Sequence, residues 1–205
     1  MNDAKQPEAS APAGTPRPRH QHEVFSASKA GHLDTRLRRF LYHPDCLAAR
    51  YMKPGDRVLD FGCGPGFFTR EFAKRVGETG HVIAVDLQAE MLRIVEQKLG
   101  PEGLMPRIET HQCAPDSLLL SPAWDGKIDV AFAIFVVHEV PDPAKLFREI
   151  AALVKPGGTF FYTEPFFVVP GPEFRENLAL AEKAGFRLVG TSHYFLNRAA
   201  ELKKE

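Results

Sequence analysis

The residue types best suited to chemistry cluster in one short stretch. Asp60-Phe61-Gly62-Cys63-Gly64-Pro65-Gly66 places three glycines at alternate positions, directly after the apolar run Arg57 to Phe61. Glycine lets the backbone take positive φ and lets a ligand approach it closely. A helix opening after such a loop aims its unpaired N–H groups into the same crevice. Asp60 offers a carboxylate two residues ahead of the first glycine, suited to a cationic amine. Asp86 closes a second apolar run, His81 to Val85. A carboxylate there accepts hydrogen bonds from both hydroxyls of a ribose. Loop and carboxylate together predict a site for a nucleoside-bearing ligand.

Two ligand classes use such loops. The dinucleotide fingerprint is G-x-G-x-x-G. Gly62 and Gly64 occupy its first two positions, but the third falls on Phe67, and Gly66 comes one residue early. A bulky ring at that position resists the close helix–strand packing that glycine permits. The loop thus points away from a nicotinamide dinucleotide and an oxidoreductase, while Asp86 serves either class.

The elements that must hold these groups follow from alternating patterns. Arg57 to Phe61, His81 to Val85, Arg107 to His111, Ile128 to Val137 and Thr159 to Thr163 read as strands. Between them, Phe68, Phe72 and Val76 mark one helix, and Met91, Val95 and Leu99 another. Leu146, Phe147, Ile150, Leu153 and Val154 mark a third. Asp142-Pro143 supplies its N-cap and first-turn proline. Gly171-Pro172 opens a last helix before Gly185, and the segments 186–190 and 194–202 complete the sheet. Strand–helix alternation predicts an α/β fold with a mostly parallel sheet and helices on both faces. Ligands of such sheets bind beyond the carboxyl ends of the strands. Ahead of this core, Leu33, Leu37, Phe40 and Leu41 share one helical stripe from Ala30. Pro44 interrupts it, and a short helix with Leu47 and Tyr51 follows.

Composition sets the limits. The 205 residues suit one domain, and residues 1–22, rich in Pro, Ala, Ser and Gly, read as a disordered tail before a single domain over 23–205. Lys plus Arg equals Asp plus Glu at 26 each, a balance that argues against a general nucleic-acid or anionic-membrane binder. Cys46, Cys63 and Cys113 form neither a disulfide framework nor a CxxC metal pair. Cys63 lies inside the glycine loop, Cys46 and Cys113 read as small buried hydrophobes, and a reducing, cytoplasmic location fits. No apolar run reaches membrane-spanning length.

The run D-x-G-x-G-x-G resembles the first motif of class I S-adenosylmethionine (SAM)-dependent methyltransferases. The stretches 58–66, 82–88 with Met91, 129–141 and 153–158 are similar to the group that includes the ubiquinone and menaquinone C-methyltransferases. The resemblance implies a Rossmann-like, seven-stranded sheet with its last strand antiparallel, and SAM as methyl donor. It implies that Gly62, Gly64 and the Asp60 region face the methionine portion, with Gly66 also in the cofactor site, that Asp86 holds the ribose, and that Leu87 and Met91 lie near the adenine. The acidic residue that often reads the adenine amino group falls here on Cys113 or Ala114. Backbone groups of Ala114 are left for that task, with Asp116 as either a substitute or a turn residue.

Methyl transfer asks mainly for orientation and exclusion of water, and for a base only when the acceptor arrives protonated. His138 and Glu139, after the fourth strand, and Glu164, after the fifth, are the polar groups at the mouth. His138 suits a proton acceptor, since its ordinary pKa lies near 6.5. Glu164 suits a cationic acceptor or the amides of its own loop. Tyr42, Tyr162 and Tyr194 read as packing residues, and Phe166 to Pro170 as either an apolar wall or core. The expected activity is methyl transfer to a small-molecule acceptor, with a non-catalytic SAM-binding module as the alternative.

Overall fold

The computed structural model describes residues 41–205. The tail at 1–22 and most of the helix expected from Ala30 lie outside the described residues. Helix α1 spans Pro44–Tyr51 and leads into strand β1, Arg57–Phe61. Then follow α2 (Thr69–Val76), β2 (His81–Asp86), α3 (Ala89–Leu99) and β3 (Ile108–Gln112). The second half comprises β4 (Ile128–Ile134), α4 (Pro143–Leu153), β5 (Val154–Glu164), α5 (Gly171–Lys183), β6 (Phe186–Tyr194) and β7 (Asn197–Lys204).

The strands form one sheet in the order β3-β2-β1-β4-β5-β7-β6. All pairings are parallel except those of β7, which is antiparallel to both neighbours. Strand order switches between β1 and β4, so the crevice opens where the glycine loop and the end of β4 meet.

The central strands read as continuous apolar runs because helices cover both faces. Val58, Val82, Val130 and Phe132 point to one layer, with Leu47 of α1, Phe72 of α2 and Val95 of α3. Leu59, Ile83, Ala131 and Tyr162 point to the other, with Phe147 of α4 and Phe174 of α5. Each such fully buried side chain contributes roughly 1.5–3 kcal/mol relative to exposure. Tyr162 keeps its hydroxyl satisfied in this core by accepting a bond from the Asn177 amide at 3.0 Å. Asp142 caps α4 as expected, accepting from the Lys145 N–H at 3.0 Å with Pro143 in the first turn.

Four boundaries differ from the sequence expectation. Strand β4 stops at Ile134, because Phe135 takes φ 61° while its N–H bonds to the Thr163 carbonyl at 2.9 Å. The following residues form a 3-10 turn, Val137–Glu139, instead of more strand. Helix α4 ends at Leu153, and β5 begins at Val154, absorbing the Pro156-Gly157-Gly158 turn as a bulge. The hairpin of β6 and β7 turns at Phe195 and Leu196, later than the sequence pattern placed it. Cys113 is buried as expected, and so is Cys63, but Cys46 is exposed, because the apolar face of α1 is carried by Leu47 and Ala48 instead.

Candidate cofactor and acceptor site

The glycine loop is held open by backbone geometry. Gly62, Gly64 and Gly66 have φ of 72°, 53° and 82°, the left-handed region that side chains resist. Each glycine serves a different neighbour. A Cβ on Gly62 would lie 2.4 Å from Val136 Cγ2, so this glycine lets the segment after β4 close over the loop. A Cβ on Gly66 would meet Val95 Cγ2 at 3.2 Å, so Gly66 sits against α3. Around Gly64 a Cβ would meet nothing within 4 Å. That open volume is where a ligand has room to approach the backbone. Helix α2 begins only at Thr69, so the turn itself, not the first helical residues, lines the crevice.

Asp86 turns its carboxylate back onto the loop. Its Oδ2 accepts the Gly64 N–H at 2.9 Å and its Oδ1 the Gln88 N–H at 2.9 Å. Burial raises its pKa, opposed by the N–H bonds from Gln88, Gly64 and Leu87. Each oxygen retains acceptor capacity beyond its one backbone bond. A pair of ribose hydroxyls fits that capacity beside the open space over Gly64. Met91 is buried in the first turn of α3, and Leu87 packs at the edge of the α4–α5 core layer.

Asp60 lies beneath this loop, 2% exposed, and accepts from the Thr69 hydroxyl at 2.6 Å. Burial pushes its pKa up to about 7, the Thr69 bond opposing and the Asp86 charge adding to the shift. A cation beside it reverses that shift. Thr69 carries no signal in the sequence that would single it out, since its partner lies nine positions away on another element.

The adenine end is arranged otherwise than expected. The Cys113 N–H bonds to the Asp86 carbonyl at 3.1 Å, and the Ala114 N–H to the Ser117 carbonyl at 2.9 Å. Both N–H groups are therefore engaged within the chain, including that of Ala114, whose backbone groups the sequence left for the adenine. Asp116 is mostly exposed and faces Lys145 at 3.3 Å, a turn residue and not a reader of this crevice. Glu149 of α4, not anticipated, secures the turn by accepting the Leu118 N–H at 2.7 Å and the Ser117 hydroxyl at 3.1 Å.

The acceptor side is built on one buried pair. Glu164, the last residue of β5, is fully buried. Its Oε2 lies 2.6 Å from His138 Nδ1, and its Oε1 accepts the His138 N–H at 3.2 Å. Burial raises the Glu164 pKa, against the hydrogen bonds and charge of His138 and the Val137 N–H. For His138, burial acts downward, but the hydrogen bond and charge of Glu164, with Glu139 and Glu173, leave its pKa raised above 6.5. Sequence reasoning named both residues but not their pairing. It also left Glu164 free to hold a cationic acceptor. The fully buried carboxylate accepts the loop N–H of His138, the alternative role expected for it.

Aromatic side chains wall the mouth. Tyr42 packs on Phe135 at 5.5 Å, on Phe195 at 5.5 Å and on Tyr194 at 5.8 Å between ring centroids. The Tyr194 hydroxyl donates to the Tyr42 carbonyl. The segment expected as wall or core divides: Val169 is buried, whereas Phe166 and Phe167 are 48% and 77% exposed. Arg198 ties this segment down by donating to the carbonyls of Phe166 and Val169 at 3.2 and 2.9 Å.

Comparison with known proteins decides the ligand class. Residues 58–158 match the family described as a methyltransferase domain. That segment belongs to the methyltransferase domain family, and the chain as a whole is similar to SAM-dependent methyltransferases. It is 32% identical over 144 residues to the ubiquinone/menaquinone biosynthesis C-methyltransferase UbiE of Vibrio vulnificus, a stretch covering 70% of this chain and 52% of that relative. It thus spans about half the length of that curated protein. Among solved structures, a SAM-dependent methyltransferase from Aquifex aeolicus superposes with a TM-score of 0.76 at 27% identity, over 88% of this chain and 98% of that one. The [4+2]-cyclase SpnF shares the fold, with a TM-score of 0.66 at 19% identity over 79% of this chain and 80% of that one. Among the described residues, no helix is long and apolar enough to cross a membrane.

Proposed function

We propose that this methyltransferase modifies a small, largely apolar acceptor that carries an ionisable hydroxyl, with His138 as proton acceptor and Glu164 as its positioning residue. The observation that carries the reading is the 2.6 Å contact between His138 Nδ1 and the buried Glu164. It fixes the ring orientation and raises the basicity of the imidazole next to the crevice. Asp86 and Gly64 bind the nucleoside, and Asp60 and the loop hold the amino-acid portion. Bound SAM supplies an electrophilic methyl group on a sulfonium whose departure leaves neutral S-adenosylhomocysteine. His138 removes the acceptor's hydroxyl proton, so that the electron-rich oxygen or ring carbon forms the new bond to that methyl; after attack by carbon, the ring C–H proton leaves and the oxygen regains a proton, restoring the aromatic hydroxyl. The aromatic wall of Tyr42, Phe135 and Phe195 orients a flat acceptor and excludes water.

The Vibrio relative is named for ubiquinone and menaquinone biosynthesis. A hydroxylated aromatic ring, such as a reduced quinone, fits this mouth and the need for a base. Balanced overall charge supports a small molecule over a nucleic acid, and three free thiols support a reducing, cytoplasmic setting. Titration calorimetry with SAM and NADH tests the cofactor. Mass spectrometry of products from a panel of hydroxylated aromatics tests the acceptor. Tight NADH binding without SAM binding would overturn the first part. SAM binding with no methylated product across the panel would overturn the second and favour a non-catalytic SAM-binding module.

A further inference from the structure

The opposite edge of the sheet holds a second cavity, of about 320 Å³, lined mostly by polar groups. It lies at the amino ends of the parallel strands, where β1, β4 and β5 begin and the antiparallel β7 ends. The donor and acceptor residues sit at the carboxyl ends, a strand length away. A five-residue strand such as β1 spans roughly 17 Å at the usual rise.

Four cations from separate elements converge here: Arg50 from α1, Lys53 from the turn before β1, Lys155 from β5 and Lys203 from β7. Two carboxylates, Asp56 and Asp129, also line it, but each is committed within the chain. Asp56 is 5% exposed, and its Oδ2 accepts the Lys53 N–H at 2.8 Å. Asp129 accepts the Arg57 N–H at 2.8 Å and pairs with Lys155. The other three cations have no carboxylate partner among the described contacts. Arg50 lies over the Tyr51 ring at 5.2 Å, and Lys203 donates to the Thr159 hydroxyl at 2.7 Å. The floor is backbone: residues 155–158 of β5 bulge opposite Asp129, between the pairs Ile128–Val154 and Val130–Thr159. Within that bulge, a Cβ on Gly157 would meet nothing within 4 Å, so the backbone is open to a ligand.

Four cations against two carboxylates leave the cavity lining with an excess of positive charge, which attracts a compact anion of more than one charge. The volume exceeds what a bare phosphate needs and leaves room for an organic body against Tyr51 and Met52. We propose that this cavity binds a phosphorylated small molecule, its phosphate held by Arg50, Lys53 and Lys203. The site is independent of the methyl-transfer reading, since none of its residues lines the glycine loop or the His138 mouth.

Pyrophosphate and inorganic phosphate serve as probes, titrated against the full chain by calorimetry at low and moderate salt. One saturable pyrophosphate site per chain is expected, tighter than phosphate and weakened by salt. Lys203→Met and Lys53→Met should each weaken it by about tenfold or more, with SAM affinity unchanged. Lys53 has no side-chain contact among those described, so its replacement keeps the test valid if Lys203→Met fails to fold. Absence of saturable binding at millimolar pyrophosphate would overturn the proposal. So would wild-type affinity in folded variants that retain SAM binding. Competition between pyrophosphate and SAM would also overturn it, by moving the anion to the cofactor crevice.

Discussion

The donor half and the acceptor half of the crevice are built on different principles. The donor half is a matter of backbone. Gly62, Gly64 and Gly66 take positive φ, and Asp86 bonds two N–H groups within the same βαβ unit. The acceptor half depends on side chains that meet from distant positions. His138 and Glu164 stand 26 residues apart and touch only because β4 and β5 are paired neighbours. A backbone requirement restricts which residue types a position tolerates. A side-chain meeting leaves no such mark, and is free to change with the acceptor.

The largest expected effect falls on the acceptor half. His138→Ala should lower turnover by about 10²–10⁴-fold, the usual range for a lost general base, with SAM affinity kept. Single-turnover rates and calorimetry on the same preparation separate the two. If turnover survives, His138 only anchors its loop. Glu164→Gln should retain part of the rate. The raised His138 pKa means that activity rises with pH as the imidazole loses its proton, and weakening the Glu164 charge should move that rise to lower pH. An unmoved pH profile would show that Glu164 does not tune His138.

On the donor side, Gly62→Ala sets a φ of 72° and a 2.4 Å overlap with Val136 against each other. A loss of about 3 kcal/mol or more in chemical denaturation is expected, from left-handed strain plus overpacking. Gly64→Ala has the same strain without the overlap, so its stability loss should be smaller while SAM binding still suffers. Equal destabilisation by the two would show that the Val136 contact relaxes freely.

Asp86→Ala should weaken SAM by more than tenfold, about 1.4 kcal/mol or more. The structure sharpens the interpretation, because Asp86 also holds the Gly64 N–H. Asp86→Asn keeps an acceptor for that bond while losing the charge, so it should retain more affinity than Asp86→Ala. Unchanged affinity in both would remove Asp86 from the ribose.

The same division explains what the sequence made legible. Strands β1 and β2 were plain because both of their faces are buried, leaving continuous apolar runs bounded by glycine and charge. The end of β4 was not, because Phe135 leaves the strand under a bond from its N–H to Thr163, a residue of another element. Gly62, Gly64 and Asp86 could be named because their constraints are local. Val136, Thr69 and Glu149 could not, since each matters through a partner on a distant segment. Ala114 shows the limit from the other direction. The sequence singled out its backbone groups for the adenine, but gave no sign that the Ser117 carbonyl, three residues on, takes its N–H.

Asp60 joins the two principles, being a buried side chain in a backbone-built loop, and gives the smallest expected effect. In the free chain burial pushes the Asp60 carboxyl up to about 7, far above the ordinary carboxylate range. The folded chain therefore holds a proton that the unfolded chain has lost between these values. Stability from this group falls as pH rises through that window. A cationic amine beside Asp60 favours the ionised form, so SAM binding should expel the proton and tighten as pH rises from 6 toward 7.5. The gain is limited by the ionised fraction of one group, at most about tenfold over such a range. The amino group of SAM titrates near the upper end, so the decisive quantity is the difference between wild type and Asp60→Asn. A pH dependence that is the same in both would break the assignment of the amine to Asp60. A slope confined to wild type, with a proton released on binding in calorimetry, would make Asp60 the one group in the donor half whose side-chain charge answers to the ligand.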